Sequence, residues 1–382
     1  MRLRARGAQS AALSGLLASV IALTGCGTNE SHPAIADPVA ITYDGGIYLL
    51  DGKSLAVAAE LKLDGFNRLS PVGNDHHVMV STKDGFQVLD AVHGELTDIT
   101  FPASKPGHVV PHAGATVLFA DGTGDVTIID PRQLADGKPQ SEVYKTPTPH
   151  HGVAIQTSTG ELVVTLGTEK KRTGIAVLDK NRKEIARNED CPGVHGESVA
   201  QGEAVVIGCE TGALIYRNGT ITKVTSPTPY GRIGNQAGSA ASPIALGDYK
   251  QDKDAEIERP QQISLIDTRT GSLRLVDIGT SYTFRSLARG PQGEALVLGT
   301  DGHVHVIDPV TGTVTRTIPV TGTWEEPLKW QKPRPAIFAR DNNIYVSDPT
   351  TNKVHRIDLA TSTIAATTTL PTTPNELTGV NI

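Results

Sequence analysis

The stretch Val306-Ile307-Asp308-Pro309-Val310-Thr311-Gly312 joins an apolar strand end, an aspartate and a turn closed by glycine. An aspartate followed by a turn and a glycine is the chemistry of a strand-to-strand hairpin. The short carboxylate bonds backbone N–H groups two or three residues on, and glycine accepts the left-handed backbone that closes the turn. Working outward, the same signature recurs at Ile47-Tyr48-Leu49-Leu50-Asp51, Val88-Leu89-Asp90, Ile128-Ile129-Asp130 and Val177-Leu178-Asp179. It returns at Leu265-Ile266-Asp267 and Ile357-Asp358, and Leu214-Ile215-Tyr216-Arg217-Asn218 carries asparagine in the same place. These are eight marks at spacings of 39 to 50 residues. Such a period, with four short strands per unit, signals a β-propeller. The chain is rich in Gly, Pro, Thr, Val and Ile and lacks long amphipathic helical patterns, so the class is all-β. Eight marks predict eight blades, the alternative being seven blades and a stray N-terminal hairpin. The tail Leu377-Thr378-Gly379-Val380 matches the inner-strand opening His151-Gly152-Val153-Ala154. It is therefore expected to complete the blade whose other strands begin near Ala40, closing the ring and removing free sheet edges.

The ends bound the compartment. Arg2, Arg4 and Arg6 precede an apolar run from Ala11 to Leu23, a pattern of signal-peptide type and too short for a spanning helix. Leu23-Thr24-Gly25-Cys26 resembles a bacterial lipobox, so residues 1–26 are expected to be a lipoprotein signal with Cys26 acylated. That reading puts the protein outside the cytoplasm, anchored at the outer face of the cytoplasmic membrane or in the periplasm, and touching the membrane through lipid only. Residues 27–38 read as a flexible tether and 39–382 as one propeller domain. Cys191 and Cys209 remain, and in an oxidising compartment such a pair closes a disulfide. Ligation of a soft metal by one or both is the alternative. A net charge of −6 with no basic, aromatic-rich stretch argues against nucleic acid.

Aligning the inner-strand openings exposes candidate chemistry. They are Asn67-Arg68-Leu69, Gly107-His108-Val109, His150-His151-Gly152, Val194-His195-Gly196, Gly231-Arg232-Ile233, Phe284-Arg285-Ser286, Pro335-Ala336-Ile337 and Leu377-Thr378-Gly379. Equivalent inner-strand positions face one layer of the central channel. His108, His151 and His195 then fall on three consecutive blades at one height, a zinc-type donor set with nitrogens about 2.0–2.1 Å from a metal. His150 and His112 are nearby candidates for a further ligand. Asp190 and Glu197 flank the His195 loop as ligands or acceptors behind the ligands. Arg68, Arg232 and Arg285 stand at the same position on other blades and are candidates to hold an anion, or to cap loop carbonyls. The remaining histidines, His32, His76, His77, His93, His303, His305 and His355, lack the register and read as structural or surface groups.

Taken together, Phe66-Asn67-Arg68-Leu69-Ser70-Pro71, Lys105-Pro106-Gly107-His108-Val109-Val110, Pro149-His150-His151-Gly152-Val153, Glu189-Asp190-Cys191-Pro192-Gly193-Val194-His195-Gly196-Glu197, Pro229-Tyr230-Gly231-Arg232-Ile233-Gly234-Asn235-Gln236 and Thr283-Phe284-Arg285-Ser286-Leu287-Ala288 resemble the AztD family of extracytoplasmic zinc metallochaperones. The resemblance runs in order along nearly the whole chain after the leader. It implies a propeller that carries Zn(II) and hands it to the solute-binding protein of a zinc ABC importer. The histidines at 108, 151 and 195, with 112 and 150 nearby, are the positions it carries over. Some relatives have a His-rich segment near the N-terminus, whereas residues 27–38 here hold only His32. No catalytic function is expected. The other readings are a metal-dependent hydrolase in the same channel, with Glu197 as general base, and a pure interaction scaffold.

Overall fold

The computed structural model describes residues 33–380, so the expected leader, Cys26 and His32 lie outside the described residues. Eight antiparallel sheets follow one another in a ring. In the first blade Val39–Tyr43, Gly46–Leu50 and Val57–Lys62 are joined by Leu377–Gly379 as the innermost strand. Val39, Ala40 and Ile41 pair with Gly379, Thr378 and Leu377, the closure expected from the tail. Blades two to five open with inner strands Arg68–Pro71, Pro106–His112, Ala154–Gln156 and His195–Ala200. Those of blades six to eight are Gln236–Ser239, Leu287–Arg289 and Ala336–Arg340. The sequence places the opening of blade six at Arg232, but Gly231–Arg232 is an extra two-residue strand lying parallel to Thr211 at the rim. The true inner strand starts four residues later, so Arg232 does not occupy the channel position of the histidines.

The eight marks are the ends of the third strands. In seven of them the aspartate Oδ1 accepts a backbone N–H two or three residues on, from Ser54, His93, Arg132, Asn181, Arg269, Val310 and Ala360. The eighth uses Asn218 and Gly219, both at positive φ (49° and 79°), a two-residue turn that asparagine tolerates where aspartate is not needed. The middle strands are largely apolar because both faces of a blade are covered by its neighbours, as in the first blade, where Val39–Tyr43 and Gly46–Leu50 are wholly buried. The outermost Val57–Lys62 alternates exposed and half-buried residues. One apolar cluster fills each of the eight blade interfaces, including that between the eighth and first blades around Tyr48, Leu50, Tyr345 and Val354.

The tether expected through Pro38 is shorter than the sequence suggests. Ile35 is buried and its N–H bonds the carbonyl of Val92, Gly52 N–H bonds Ala36 O, and Arg340 reaches the Asp37 carbonyl. An apolar residue close to the body is worth burying even when its neighbours are polar.

Candidate metal centre at the channel mouth

Each of the three aligned histidines arrives by a different local device. His108 lies in the inner strand of blade three, where the ladder shifts register between Pro106 and Val109. His195 starts the inner strand of blade five, whose register shifts between His195 and Glu197. Gly196 fills that irregularity at φ +72°, and a Cβ there would sit 2.4 Å from the Gly234 carbonyl. Bulges of this kind re-aim side chains at the end of a strand. His151 sits three residues before the inner strand of blade four, in the loop entering it.

The rings converge: centroids of His108 and His151 are 5.4 Å apart, those of His108 and His195 5.3 Å, and those of His151 and His195 4.9 Å. One nitrogen from each lies within 4.8 Å of the others. In all three, Nδ1 faces an acceptor. His195 Nδ1 donates to the Gly234 carbonyl at 2.7 Å, His151 Nδ1 meets Asp121 Oδ2 at 2.5 Å, and His108 Nδ1 lies 2.9 Å from Glu197 Oε2. A carbonyl can only accept, which fixes the proton of His195 on Nδ1 and leaves its Nε2 as a lone pair. His151 Nε2 faces that lone pair at 2.9 Å. At that distance one proton shared between the two nitrogens makes a hydrogen bond, and a bound cation would take that proton's place. Imidazoles whose outer nitrogens are held by carboxylates or carbonyls while the inner ones meet are the arrangement of zinc ligands.

The electrostatics split the three. Burial, reinforced by His108, His151 and Arg232, holds His195 well below the usual imidazole range, keeping it in the neutral form that binds metal. Burial also pulls on His108, but the Glu197 carboxylate outweighs it and the net shift is upward. Behind His195 stands a further layer: the buried Asp248 accepts the N–H groups of Gly234 (2.6 Å) and Asn235 (3.0 Å), fixing the carbonyl that holds the ring. Below the histidines lies a cavity of about 190 Å³. Its walls (Arg68, Ser70, His108, Glu197, Asn235 and Gln236 among them) come from blades two, three, five and six, so it is the channel itself. His151 is the exposed member, with 45% of its side chain in contact with solvent against 19% for His108.

Other candidates fall elsewhere. His150 is buried against Phe119, bonded to the Thr148 carbonyl and Thr165 Oγ1, and turned away from the cluster. Adjacent residues in an extended segment face opposite ways, so His150 and His151 cannot both enter the channel. His112 ends the same strand as His108 but pairs with Glu203 at 2.9 Å, one strand length from the cluster. Asp190 is exposed and points toward Lys223, 3.9 Å away. Arg285 is buried in a bond with Glu376 and with Asn375 Oδ1, and Arg68 lies 3.7 Å from Glu376, so these two are tied to the C-terminal segment. Arg232 lies near enough to His195 to depress its pKa. Cys191 and Cys209 form a disulfide that anchors the loop leading to His195.

Asp121 was not singled out from the sequence. It follows the second strand of blade three, where the turn to the third strand returns to the mouth at which the inner strands begin. The signal was Asp121-Gly122 together with Gly107, whose missing side chain leaves room for the carboxylate: a Cβ there would lie 2.3 Å from Asp121 Oδ1.

No protein-family model matches the chain. A zinc chaperone, AztD of Citrobacter koseri, is 28% identical over 286 residues, covering 70% of this chain and 66% of the relative's own length. The apo structure of AztD from Citrobacter koseri superposes with a TM-score of 0.77 at 22% identity, over 90% of this chain and 96% of that one. More distantly, a dihydro-heme d1 dehydrogenase, NirN, shares the fold with a TM-score of 0.59 at 13% identity, over 89% of this chain and 74% of that one. The chain thus resembles the AztD zinc chaperones in sequence as well as in the eight-bladed course of its backbone.

Proposed function

We propose that this protein is a zinc metallochaperone that holds Zn(II) at the channel mouth through His108, His151 and His195. The observation that carries the reading is the pairing of every Nδ1 with an acceptor while the inner nitrogens of three blades face one another. The name of the similar Citrobacter koseri protein, a zinc chaperone, supports it. Glu197, at 2.9 Å from His108 Nδ1, stands behind that ligand, so water is left to complete the coordination. The exposure of His151 suits ligand exchange, because a receiving site can take over that ligand first while the other two still hold the ion. We further propose that the receiver is the solute-binding protein of a zinc ABC importer, and that acylated Cys26 keeps the carrier at the membrane that houses it.

Competition of the purified protein against a chromogenic chelator at neutral pH tests the carrier site. Tight zinc binding, lost in His151→Ala and His195→Ala without loss of the fold, is expected. Unchanged affinity in both variants overturns the assignment. Delivery is tested by mixing zinc-loaded protein with the importer's apo binding protein in the presence of excess chelator. Transfer no faster than loss to the chelator removes the partner proposal and leaves the carrier site standing.

A further inference from the structure

At the other end of the channel, blade two brings together three residues that the sequence separates. The inner strand of this blade runs from Arg68, at the wall of the cavity beneath His108, to Pro71, so the turn that follows lies at the opposite mouth. That turn carries His76. The third strand runs parallel to the inner one, ends at Asp90 on the same face, and is followed by a turn bearing His93. The two turns are joined by a backbone bond from Ala91 N–H to the His76 carbonyl at 2.8 Å.

We propose that His76, Asp90 and His93 form a second binding site for a divalent cation of zinc type. One donor atom of each lies within 4.8 Å of the others, and the two imidazole centroids are 6.3 Å apart. Both supporting turns are ordered by side chains. Asn74 Oδ1 accepts the N–H groups of His76 (3.1 Å) and His77 (2.8 Å), while Asn74 Nδ2 donates to the Pro131 carbonyl of the next blade at 2.7 Å. Asp90 Oδ1 accepts His93 N–H at 2.8 Å, and Asp90 Oδ2 lies 2.8 Å from His93 Nδ1. Holding one carboxylate oxygen on the backbone directs the other at the imidazoles, and the donors converge before any ion arrives. Two imidazoles and a carboxylate suit a borderline divalent metal, with water completing the coordination. The site is open, with 46% of the His76 side chain and 56% of the His93 side chain in solvent. Asp75, 3.7 Å from His76, adds a carboxylate at the rim. The described chain also enters the propeller here, since Ile35 is bonded to Val92 in the same turn.

The test is a zinc count at equilibrium, with Zn(II) alone as probe and a competing chelator to set free zinc in the micromolar range and below. The wild type is compared with His76→Ala/His93→Ala, with His108→Ala/His151→Ala, and with all four changes combined. Two equivalents in the wild type, one in each double variant and none in the fourfold variant are expected. Because His76 and His93 are exposed, their removal should leave the melting temperature unchanged, which separates lost binding from lost fold. A His76→Ala/His93→Ala protein that keeps the wild-type count and affinity overturns the proposal. So does a second equivalent that enters only at millimolar zinc. Failure of the channel site alone reads differently: His108→Ala/His151→Ala then keeps the wild-type count while His76→Ala/His93→Ala loses an ion.

Discussion

Glu197 does two things at once to His108, and they separate with pH. Its carboxylate lies 2.9 Å from Nδ1 and raises the pKa of an imidazole that burial alone would depress. In the metal-free protein a proton therefore competes with zinc at His108 at pH values above the ordinary imidazole value of about 6.5. Glu197→Gln should weaken zinc binding about 10- to 100-fold at pH 8, the usual cost of removing the acceptor behind a ligating histidine. The acid limb of the binding curve should move to lower pH at the same time, since His108 no longer has its anionic partner. Chelator competition between pH 5 and 8 reads both, and an unmoved limb would show that Glu197 does not set the protonation of His108. Asp121→Asn should lose affinity by a similar factor through His151 and move the His108 limb the same way but less, since the Asp121 charge is a smaller contributor than Glu197 to raising His108.

The C-terminal strand and the disulfide are the elements on which the site leans. Glu376, just before that strand, buries its carboxylate against the guanidinium of Arg285, both side chains being less than a tenth exposed. Arg285 leads into the inner strand of blade seven and Glu376 into the closing strand of blade one, so the pair ties the closing segment to a blade beyond its own. Removing one partner strands the other charge, and Glu376→Ala should cost about 3–5 kcal/mol by denaturant midpoint. A loss under about 1 kcal/mol would mean that Arg68 or water takes over the pairing. The Cys191–Cys209 bond spans 18 residues of chain. Its removal as Cys191→Ala/Cys209→Ala should cost about 3 kcal/mol on the loop-closure argument. Zinc affinity should fall with it, because the four-residue path from Cys191 to His195 loses its anchor.

Over the whole molecule, acid stability reflects several neutral histidines kept from water. Burial depresses the pKa of His77, His150, His195 and His355. For each, the unfolded chain binds a proton more readily than the folded one. Their contribution is therefore intact above about pH 6.5 and is lost as pH falls toward their folded values. His93, drawn up by its bond to Asp90, and His108 act in the opposite sense. The metal-free protein should show a melting temperature that is level above pH 7 and declines below about 6.5. A melting temperature that rises on acidification would place the balance with His93 and His108 instead.

The eight-bladed plan was legible in the sequence because its marks are local. An aspartate that bonds the backbone two or three residues on needs nothing beyond its own turn, and Asp51, Asp130, Asp179 and Asp308 all do so. The closing strand was legible for a related reason, since Leu377-Thr378-Gly379 repeats an inner-strand opening and can pair only with the one blade that lacks it. Alignment of those openings also named His108, His151 and His195, because equivalent positions in a ring share a height. What the alignment could not carry was register within a strand. The irregularities around His108 and Gly196, the loop position of His151 and the four-residue delay in blade six were decided by packing between blades. The same holds for partners drawn from other turns. Asp121 behind His151, Asp248 behind the Gly234 carbonyl, and the meeting of His76 with Asp90 and His93 depend on which hairpins end at which mouth. Sequence sets the period and the turn chemistry because both are fixed within a few residues. Only the closed ring decides which side chains from distant turns come within bonding distance, because that follows from strand direction and blade-to-blade contact.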